Sequence, residues 1–426
     1  MTTFERFERS IPELMTELAP SRVPDYFDDM LRQTASQGQR PSWSFPERWL
    51  PVDITARPLA MRSFSWRPVL VLALVAALIV AGLAVYVGSR TRVPAPFGPA
   101  GNGLLMYRGA DGSIVSVDPK DGAQATVLPA SDAIRDPALS RDGRRVALVE
   151  TTPQLSTIVV EDLDGSHRTT LAGMYRFIGG TEWSPDGSKL AFLADENGLA
   201  SIHVAPTDGS PVTSMPLGRN VLTQRFLPDG RIVFIAAEQP GQACPGNPVT
   251  DRCALFVVGA DGTGLELLIA AKDFHGINTI APSADGTKVL WVEWRSGAEG
   301  RLHLFDLVKR ADLRVPDDAF PKPYSMNRAW LSPDGASVLF DFFEVDGDHW
   351  GVVPSAGGTP VRIGEKFADG SPTEAAWAPD GKSVIALYGT GDTSSELWLL
   401  DPTGSGNDRK LDVRVPYLPE WQRVAP

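Results

Sequence analysis

One short unit recurs six times in the sequence and constrains its fold more than any other feature. The unit joins an Asp-Gly pair to a following apolar run, as in TEWSPDGSKLAFLA at 181–194. Its aspartates stand at 142, 186, 229, 285, 334 and 380, at intervals of 44, 43, 56, 49 and 46 residues. A period of about 40–50 residues is typical of propeller blades that have four strands each.

The chemistry of the unit predicts a turn rather than a reactive group. Aspartate supplies a side-chain acceptor, and glycine supplies the positive φ that a tight hairpin requires. The runs that follow, such as KLAFLA and KVLWVE, have the composition of buried strands. We therefore expect each Asp-Gly pair to join the first and second strands of a blade.

Counting strands around the units gives six complete blades and two partial ones. Residues 103–128 supply three strands without a leading strand, and PYLPEWQRVAP at the C-terminus supplies a leading strand alone. Trp421 in this segment corresponds to Trp183 and Trp377 of other blades. Pairing the two ends would satisfy strand edges that are otherwise unpaired. The sequence predicts an all-β, seven-bladed propeller closed by a C-terminal strand, with six blades as the alternative.

The W-S-P-D-G units, with their hydrophobic continuation, resemble the β-propeller repeats of the TolB family. Similar repeats form the N-terminal propellers of prolyl-oligopeptidase-type enzymes. The resemblance covers about residues 100–426 and implies the fold, while one fold can serve many functions. TolB-like proteins carry an α/β domain before the propeller, whereas this chain has an apolar segment there.

That apolar segment, residues 68–88, contains no charged residue over its length. A helix of this length matches the hydrocarbon core of a bilayer, about 30 Å thick, so we expect one transmembrane helix. Arg57, Arg62 and Arg67 precede it while Arg90 and Arg92 follow, which favours a cytoplasmic N-terminus. The expected order is a cytoplasmic helical segment at 1–67, the membrane helix, a linker at 89–102 and an extracytoplasmic propeller at 103–426.

The two cysteines of the chain, Cys244 and Cys253, both lie beyond the apolar segment. They flank a loop that contains proline and glycine, which predicts a hairpin disulfide in an oxidising compartment. Two free thiols in a cytosolic loop are the alternative.

The N-terminal segment 1–67 combines a helix with one apolar face and a stretch rich in tryptophan. Such a segment is too short to build a stable core alone, so its apolar faces are expected to dock on a cytoplasmic protein or on the membrane surface. The layout is similar to that of membrane-bound anti-sigma factors, although their His-x-x-x-Cys-x-x-Cys motif is absent. A transmembrane regulator that uses the propeller as a sensor is therefore one alternative function.

The expected function follows from missing motifs and from charge. The sequence contains no G-x-S-x-G, H-E-x-x-H or P-loop motif, and its five histidines lack ligand spacing. Net charge is −12, and the acidic excess lies beyond residue 67, which disfavours nucleic acid as a partner. We expect no cofactor, no metal and no enzyme activity. The main expectation is a membrane-anchored, non-catalytic module that binds a protein or small ligand, and an envelope hydrolase with catalytic groups from separate blades is a further alternative.

A binding site is expected on the face opposite the Asp-Gly turns, where the longer loops lie. Residues near the starts of the inner strands would converge there on the mouth of the channel. These candidates are Arg135, Arg176, Gln224, His275, Arg328 and Glu374. The tryptophans within strands, Trp183, Trp291, Trp330 and Trp377, are expected to pack between blades.

Overall fold

The computed structural model describes the propeller almost completely and little of the chain before it. The described residues are 30, 32, 69, 72–77, 94–131, 134–171, 173–196, 198–240, 244, 253–270, 276–294, 300–314, 325–344, 347–364, 371–389 and 394–425. Segment 1–67, which the sequence predicts to dock on a partner, lies outside them apart from Met30 and Arg32, so that prediction stays open.

The expected membrane helix at 68–88 lies mostly outside the described residues. Within it, Val69 and residues 72–77 are helical, and Leu72 and Leu74 are exposed. Among the residues that the structure describes, no helix is both long and apolar enough to cross a membrane. The transmembrane segment therefore remains a prediction.

The chain divides into two compact units, Met1–Ser89 and Arg90–Pro426. The second unit contains seven antiparallel sheets of four strands each, which confirms the predicted seven-bladed propeller over the six-bladed alternative. At most boundaries between neighbouring blades the first strands contact one another, so they surround the central channel. Along the chain, the earliest strand is β1, which begins at Gly101 and therefore starts inside the segment 89–102 that was expected to be a linker.

The blades are numbered here from the one that holds both ends of the ring, and each is given from its first to its fourth strand. Blade 1 contains β28 (Glu420–Val424), β1 (Gly101–Arg108), β2 (Ile114–Val117) and β3 (Gln124–Leu128). Blade 2 contains β4 (Ile134–Leu139), β5 (Arg145–Thr151), β6 (Ser156–Asp162) and β7 (Thr169–Thr170). Blade 3 contains β8 (Ile178–Trp183), β9 (Lys189–Glu196), β10 (Leu199–Pro206) and β11 (Thr213–Ser214).

The remaining four blades follow in chain order. Blade 4 contains β12 (Val221–Phe226), β13 (Ile232–Ala237), β14 (Cys253–Val258) and β15 (Glu266–Ile269). Blade 5 contains β16 (Gly276–Pro282), β17 (Lys288–Trp294), β18 (Gly300–Asp306) and β19 (Ala311–Arg314). Blade 6 contains β20 (Ser325–Leu331), β21 (Ser337–Glu344), β22 (Gly347–Pro354) and β23 (Val361–Ile363). Blade 7 contains β24 (Ser371–Trp377), β25 (Val384–Gly389), β26 (Ser395–Leu400) and β27 (Arg409–Val415).

Closure of the ring occurs in blade 1, as the partial blades predicted. The C-terminal strand β28 pairs antiparallel with β1, with Leu105 opposite Trp421 and Gly101 opposite Val424. The Asp-Gly turn of blade 2 packs directly on β28, where a Cβ on Gly143 would lie 2.3 Å from the carbonyl oxygen of Arg423. Only glycine fits there, and its φ of 68° also requires glycine. The last strand is thereby held by two blades.

The repeated unit is a turn with its own hydrogen-bond network. In blade 3 the Asp186 Oδ1 atom accepts bonds from Ser184 Oγ at 2.7 Å and from the Ser188 amide at 3.0 Å. Ser184 Oγ in turn accepts the Lys189 amide at 2.9 Å. These bonds, the one from Ser184 foremost, lower the pKa of Asp186. Blades 2, 5 and 6 repeat the serine–aspartate pair.

The core consists of apolar layers between neighbouring blades rather than one central cluster. The tryptophans pack in these layers, as the sequence predicted. Trp183 also donates its indole N–H to the Ala138 carbonyl of blade 2 at 2.9 Å, and Trp377 donates to Trp330 of blade 6 at 3.2 Å. Trp421 packs between blades 7 and 1, but its indole N–H makes no hydrogen bond within the described part of the chain.

Candidate functional site

The propeller channel has two chemically different ends. At the turn mouth, the Asp-Gly turns join the first and second strands of the blades. At the loop mouth, the first strands begin and the second strands end. The sequence placed its candidate residues at the loop mouth, and a cavity of about 430 Å³ lies there between blades 1, 2 and 3.

Charged and aromatic side chains from both ends of the sequence line this cavity. Arg135 lies near the start of β4, Arg108 at the end of β1, and Glu420 at the start of β28. Tyr417, which is 60% exposed, contributes an aromatic ring beside them. Cationic, anionic and aromatic groups therefore share one concave site, as binding sites for polar ligands commonly do.

Glu420 has the most perturbed acid–base chemistry in the cavity. Its carboxylate accepts a hydrogen bond from the Leu139 amide at 2.7 Å. Water reaches the side chain within the cavity, yet protein surrounds it on most sides, and this desolvation raises its pKa to about 7. The backbone hydrogen bond opposes the shift and does not cancel it. A carboxyl with such a pKa can take up or release a proton near neutral pH.

Two further sequence candidates support the cavity without lining it. Gln224 is fully buried and donates a side-chain hydrogen bond to the carbonyl of Gly180, a lining residue. Glu374 is exposed and accepts the amide of Leu418, another lining residue, at 3.1 Å. Both side chains hold the backbone of the cavity wall in place.

The remaining sequence candidates lie elsewhere. Arg328 bonds Asp341 at 2.9 Å and the Thr373 carbonyl at 2.7 Å, so it joins blades 6 and 7. Arg176 is exposed just before β8. His275 lies outside the described residues. The structure thus brings Arg135, Gln224 and Glu374 to one region and places Arg328 in a separate contact between blades.

A second charged cluster lies toward the turn mouth. Arg141 bonds Glu182 at 2.7 Å, and Arg225 approaches the other oxygen of the same carboxylate at 4.0 Å. Burial raises the pKa of Glu182 and lowers that of Arg141, although the arginines oppose the shift at Glu182. Two cations around one carboxylate leave a net positive charge in this part of the channel. Within the described ranges, no three His, Cys, Asp or Glu side chains form a group that could hold a metal ion.

The cysteines form a disulfide at the loop-mouth side of blade 4, with Cα atoms 5.6 Å apart. Cys253 begins β14, and both side chains are buried. The bridge ties the end of this loop to the blade. Most of the loop between the cysteines lies outside the described residues.

Sequence reasoning missed Glu420, Arg108 and Tyr417. The candidates were taken from the starts of first strands in blades 2 to 7. Blade 1 was left out because its first strand is at the far end of the sequence, although that strand was correctly recognised. Applying the same rule to β28 identifies Glu420 directly.

Comparison with known proteins gives one relative by sequence and many by fold. No family model matches the chain. Tricorn protease homolog 1 from Streptomyces coelicolor is 26% identical over 246 residues. The match covers 54% of this chain and 20% of that protein, so the chain spans about a fifth of the relative's length.

Solved structures show the same architecture. The β-propeller domain of the Trilobed protease from Pyrococcus furiosus superimposes with a TM-score of 0.51 at 16% identity, covering 76% of this chain and 98% of that one. TolB from Acinetobacter baumannii gives a TM-score of 0.45 at 19% identity, covering 75% and 79%. The seven four-stranded sheets and the likeness to the Trilobed protease domain confirm the seven-bladed propeller that the repeats predict, and at this identity the likeness concerns the fold alone.

These comparisons correct the expected function. A non-catalytic binding module without enzyme activity was the main expectation, and it is contradicted because the sequence relative is a protease homologue. The expectation rested on missing linear motifs. Such motifs are not required when catalytic groups come from separate blades, and the envelope hydrolase alternative agrees better with the relative.

Proposed function

We propose that the chain acts in peptide hydrolysis and that the loop-mouth cavity receives the peptide. The observation that carries this proposal is the similarity over 246 residues to Tricorn protease homolog 1. The activity of that protein is transferred here as a hypothesis, because the match covers 20% of its length.

The chemistry of the cavity supports a peptide as the ligand. A peptide backbone offers both hydrogen-bond donors and acceptors, and its ends carry opposite charges. Arg108 and Arg135 supply cationic donors, and Glu420 supplies an acceptor whose proton occupancy changes near neutral pH. The ring of Tyr417 offers apolar surface for a side chain.

The proposed location is the outer side of the cell membrane. The uncharged segment 68–88 would anchor the chain, with residues 1–67 in the cytoplasm. The disulfide between Cys244 and Cys253 supports an oxidising compartment for the propeller. The substrates would then be peptides of the cell envelope.

Peptide turnover by the full chain tests the proposal. The purified protein is incubated with a panel of internally quenched peptides of different length and end charge, and products are identified by mass spectrometry. We expect cleavage of some peptides, and an Arg135→Gln variant should raise KM at least tenfold if Arg135 binds the substrate. Arg231→Gln is the matched control, since Arg231 lies at a turn on the opposite face, where it pairs with Asp229.

Two results would contradict the proposal. Absence of cleavage across the panel by folded protein would remove the hydrolytic function. Cleavage with equal KM in both arginine variants would retain hydrolysis but exclude Arg135 as a peptide-binding residue.

A further inference from the structure

A short segment before the first strand packs on the turn mouth of the channel. Residues 94–100 form no regular secondary structure, yet Pro94 and Ala100 are buried. The Ala100 amide donates to the carbonyl of Pro379, in the Asp-Gly turn of blade 7, at 2.8 Å. One end of the segment is thereby fixed to the ring of turns.

The middle of the segment is held by the closing strand. The Arg423 Nη2 atom of β28 donates to the carbonyl oxygens of Ala95 at 2.9 Å and of Gly98 at 2.7 Å. Bonds from a charged donor are stronger than those between neutral groups. Burial beneath the segment lowers the pKa of Arg423 to about 10.

Two consecutive residues of the segment contact opposite sides of the ring. The ring of Phe97 lies 4.1 Å from the guanidinium carbon of Arg141, in the turn of blade 2. A Cβ on Gly98 would lie 3.9 Å from the Cβ of Ala284, in the turn of blade 5, and 4.0 Å from the carbonyl of Pro333 in blade 6. Blades 2 and 5 face each other across a seven-bladed ring. The backbone between Phe97 and Gly98 therefore crosses the channel axis.

The charged cluster lies directly beneath this crossing. Arg141 contacts Phe97 on one side and Glu182 on the other, and Arg225 reaches the same carboxylate from blade 4. The segment thus rests on an arginine that the channel wall itself fixes. A cation held against an aromatic ring in this way stabilises the contact further.

We propose that residues 94–100 are a plug that closes the turn mouth, so that molecules enter and leave the channel only through the loop mouth. The channel is then a chamber with one opening rather than a passage. This inference does not depend on peptide hydrolysis, because it rests on the contacts of the plug alone. Its consequence for any ligand is that the end that enters first stops at the charged cluster.

Thiol labelling of the full chain tests the plug. With the native cysteines joined in a disulfide, Arg141→Cys supplies a single free thiol directly beneath Phe97 of the plug, where the native side chain is 24% exposed. Its rate of reaction with a fluorescein maleimide is compared between the native plug and a variant with residues 94–99 replaced by alternating Gly and Ser. We expect the replacement to accelerate labelling at least tenfold. Tyr417→Cys at the loop mouth is the matched control, and its rate should be the same with either segment.

A second variant keeps the test decisive if the replaced segment impairs folding. Arg423→Gln removes the two bonds that the Arg423 side chain donates to the carbonyl oxygens of Ala95 and Gly98, and it leaves the segment itself unchanged. Combined with Arg141→Cys, it should accelerate labelling severalfold. Equal labelling of Arg141→Cys in folded protein, whether the plug is native, replaced or released by Arg423→Gln, would overturn the proposal.

Discussion

Glu420→Gln should remove a pH dependence of stability that originates in the loop-mouth cavity. The pKa of Glu420 is raised from 4.5 to about 7 in the folded protein. Below pH 4.5 the carboxyl is protonated in both the folded and the unfolded chain. As the pH rises toward 7, the unfolded chain loses this proton more readily, so the free energy of unfolding falls. Glutamine keeps the acceptor for the Leu139 amide and removes the titration.

The magnitude follows from the shift and from water access. A displacement from 4.5 to about 7 corresponds to at most about 3–4 kcal/mol, at 1.4 kcal/mol for each pKa unit. Because water in the cavity reaches the carboxyl and screens it, we expect about 1 kcal/mol. Between pH 4.5 and 8, the wild type should lose this amount of stability relative to Glu420→Gln, most of it before pH 7.

The measurement is urea unfolding followed by tryptophan fluorescence at half-unit pH steps. Glu374→Gln is the control, because Glu374 also accepts one backbone amide but lies outside the cavity lining. Glu374→Gln should keep the pH dependence of the free energy of unfolding that the wild type shows. If the free energies of unfolding of wild type and Glu420→Gln change with pH in parallel, the pKa of Glu420 is not raised by desolvation. A proton-transfer role for Glu420 near neutral pH would then be refuted as well.

Three further changes test the architecture, each measured by denaturant unfolding. Ser184→Ala should lower the free energy of unfolding by about 1–2 kcal/mol, since the half-buried amide of Lys189 loses its acceptor; an unchanged midpoint would contradict this role. Trp183→Phe should lower the free energy of unfolding by about 2 kcal/mol, because it removes a hydrogen bond between blades and leaves a smaller ring in the core. A loss below about 0.5 kcal/mol, which is typical of a surface substitution, would argue against that contact. Reduction of the disulfide between Cys244 and Cys253 should lower the free energy of unfolding by roughly 2–3 kcal/mol, as expected for a loop this short; equal stability in reductant would count against a closed bridge.

The fold was predictable because its determinants are local and repeated. Each Asp-Gly unit specifies one turn and one buried strand, so a regular period specifies a blade. Even the closure of the ring followed from two incomplete sets of strands. The hydrogen bonds of Ser184 explain why serine recurs before the Asp-Gly pair. Its hydroxyl donates to Asp186 in the turn and accepts the amide of Lys189 at the start of the next strand.

The site was less predictable because its residues meet only after the ring closes. Arg135 and Glu420 lie near opposite ends of the propeller sequence, and no local pattern relates them. Arg328 fits the rule that located Arg135, yet Asp341 and the Thr373 carbonyl engage it between blades. Which charged residue faces the cavity depends on how neighbouring blades pack, and this is not encoded in the repeat period.

The pairing of β28 with β1 also determines when this protein can fold. Blade 1 cannot form until the chain has been synthesised through residues 420–424, because one of its four strands is absent until then. During translation, β1 therefore presents an unpaired edge for almost the whole time that the other six blades are being made. Joining strands so distant in sequence is slow as well, since a long loop must close before the contacts form. The pairing of β28 with β1 protects the strand edges of the finished ring, but until it forms the growing chain depends on protection from aggregation.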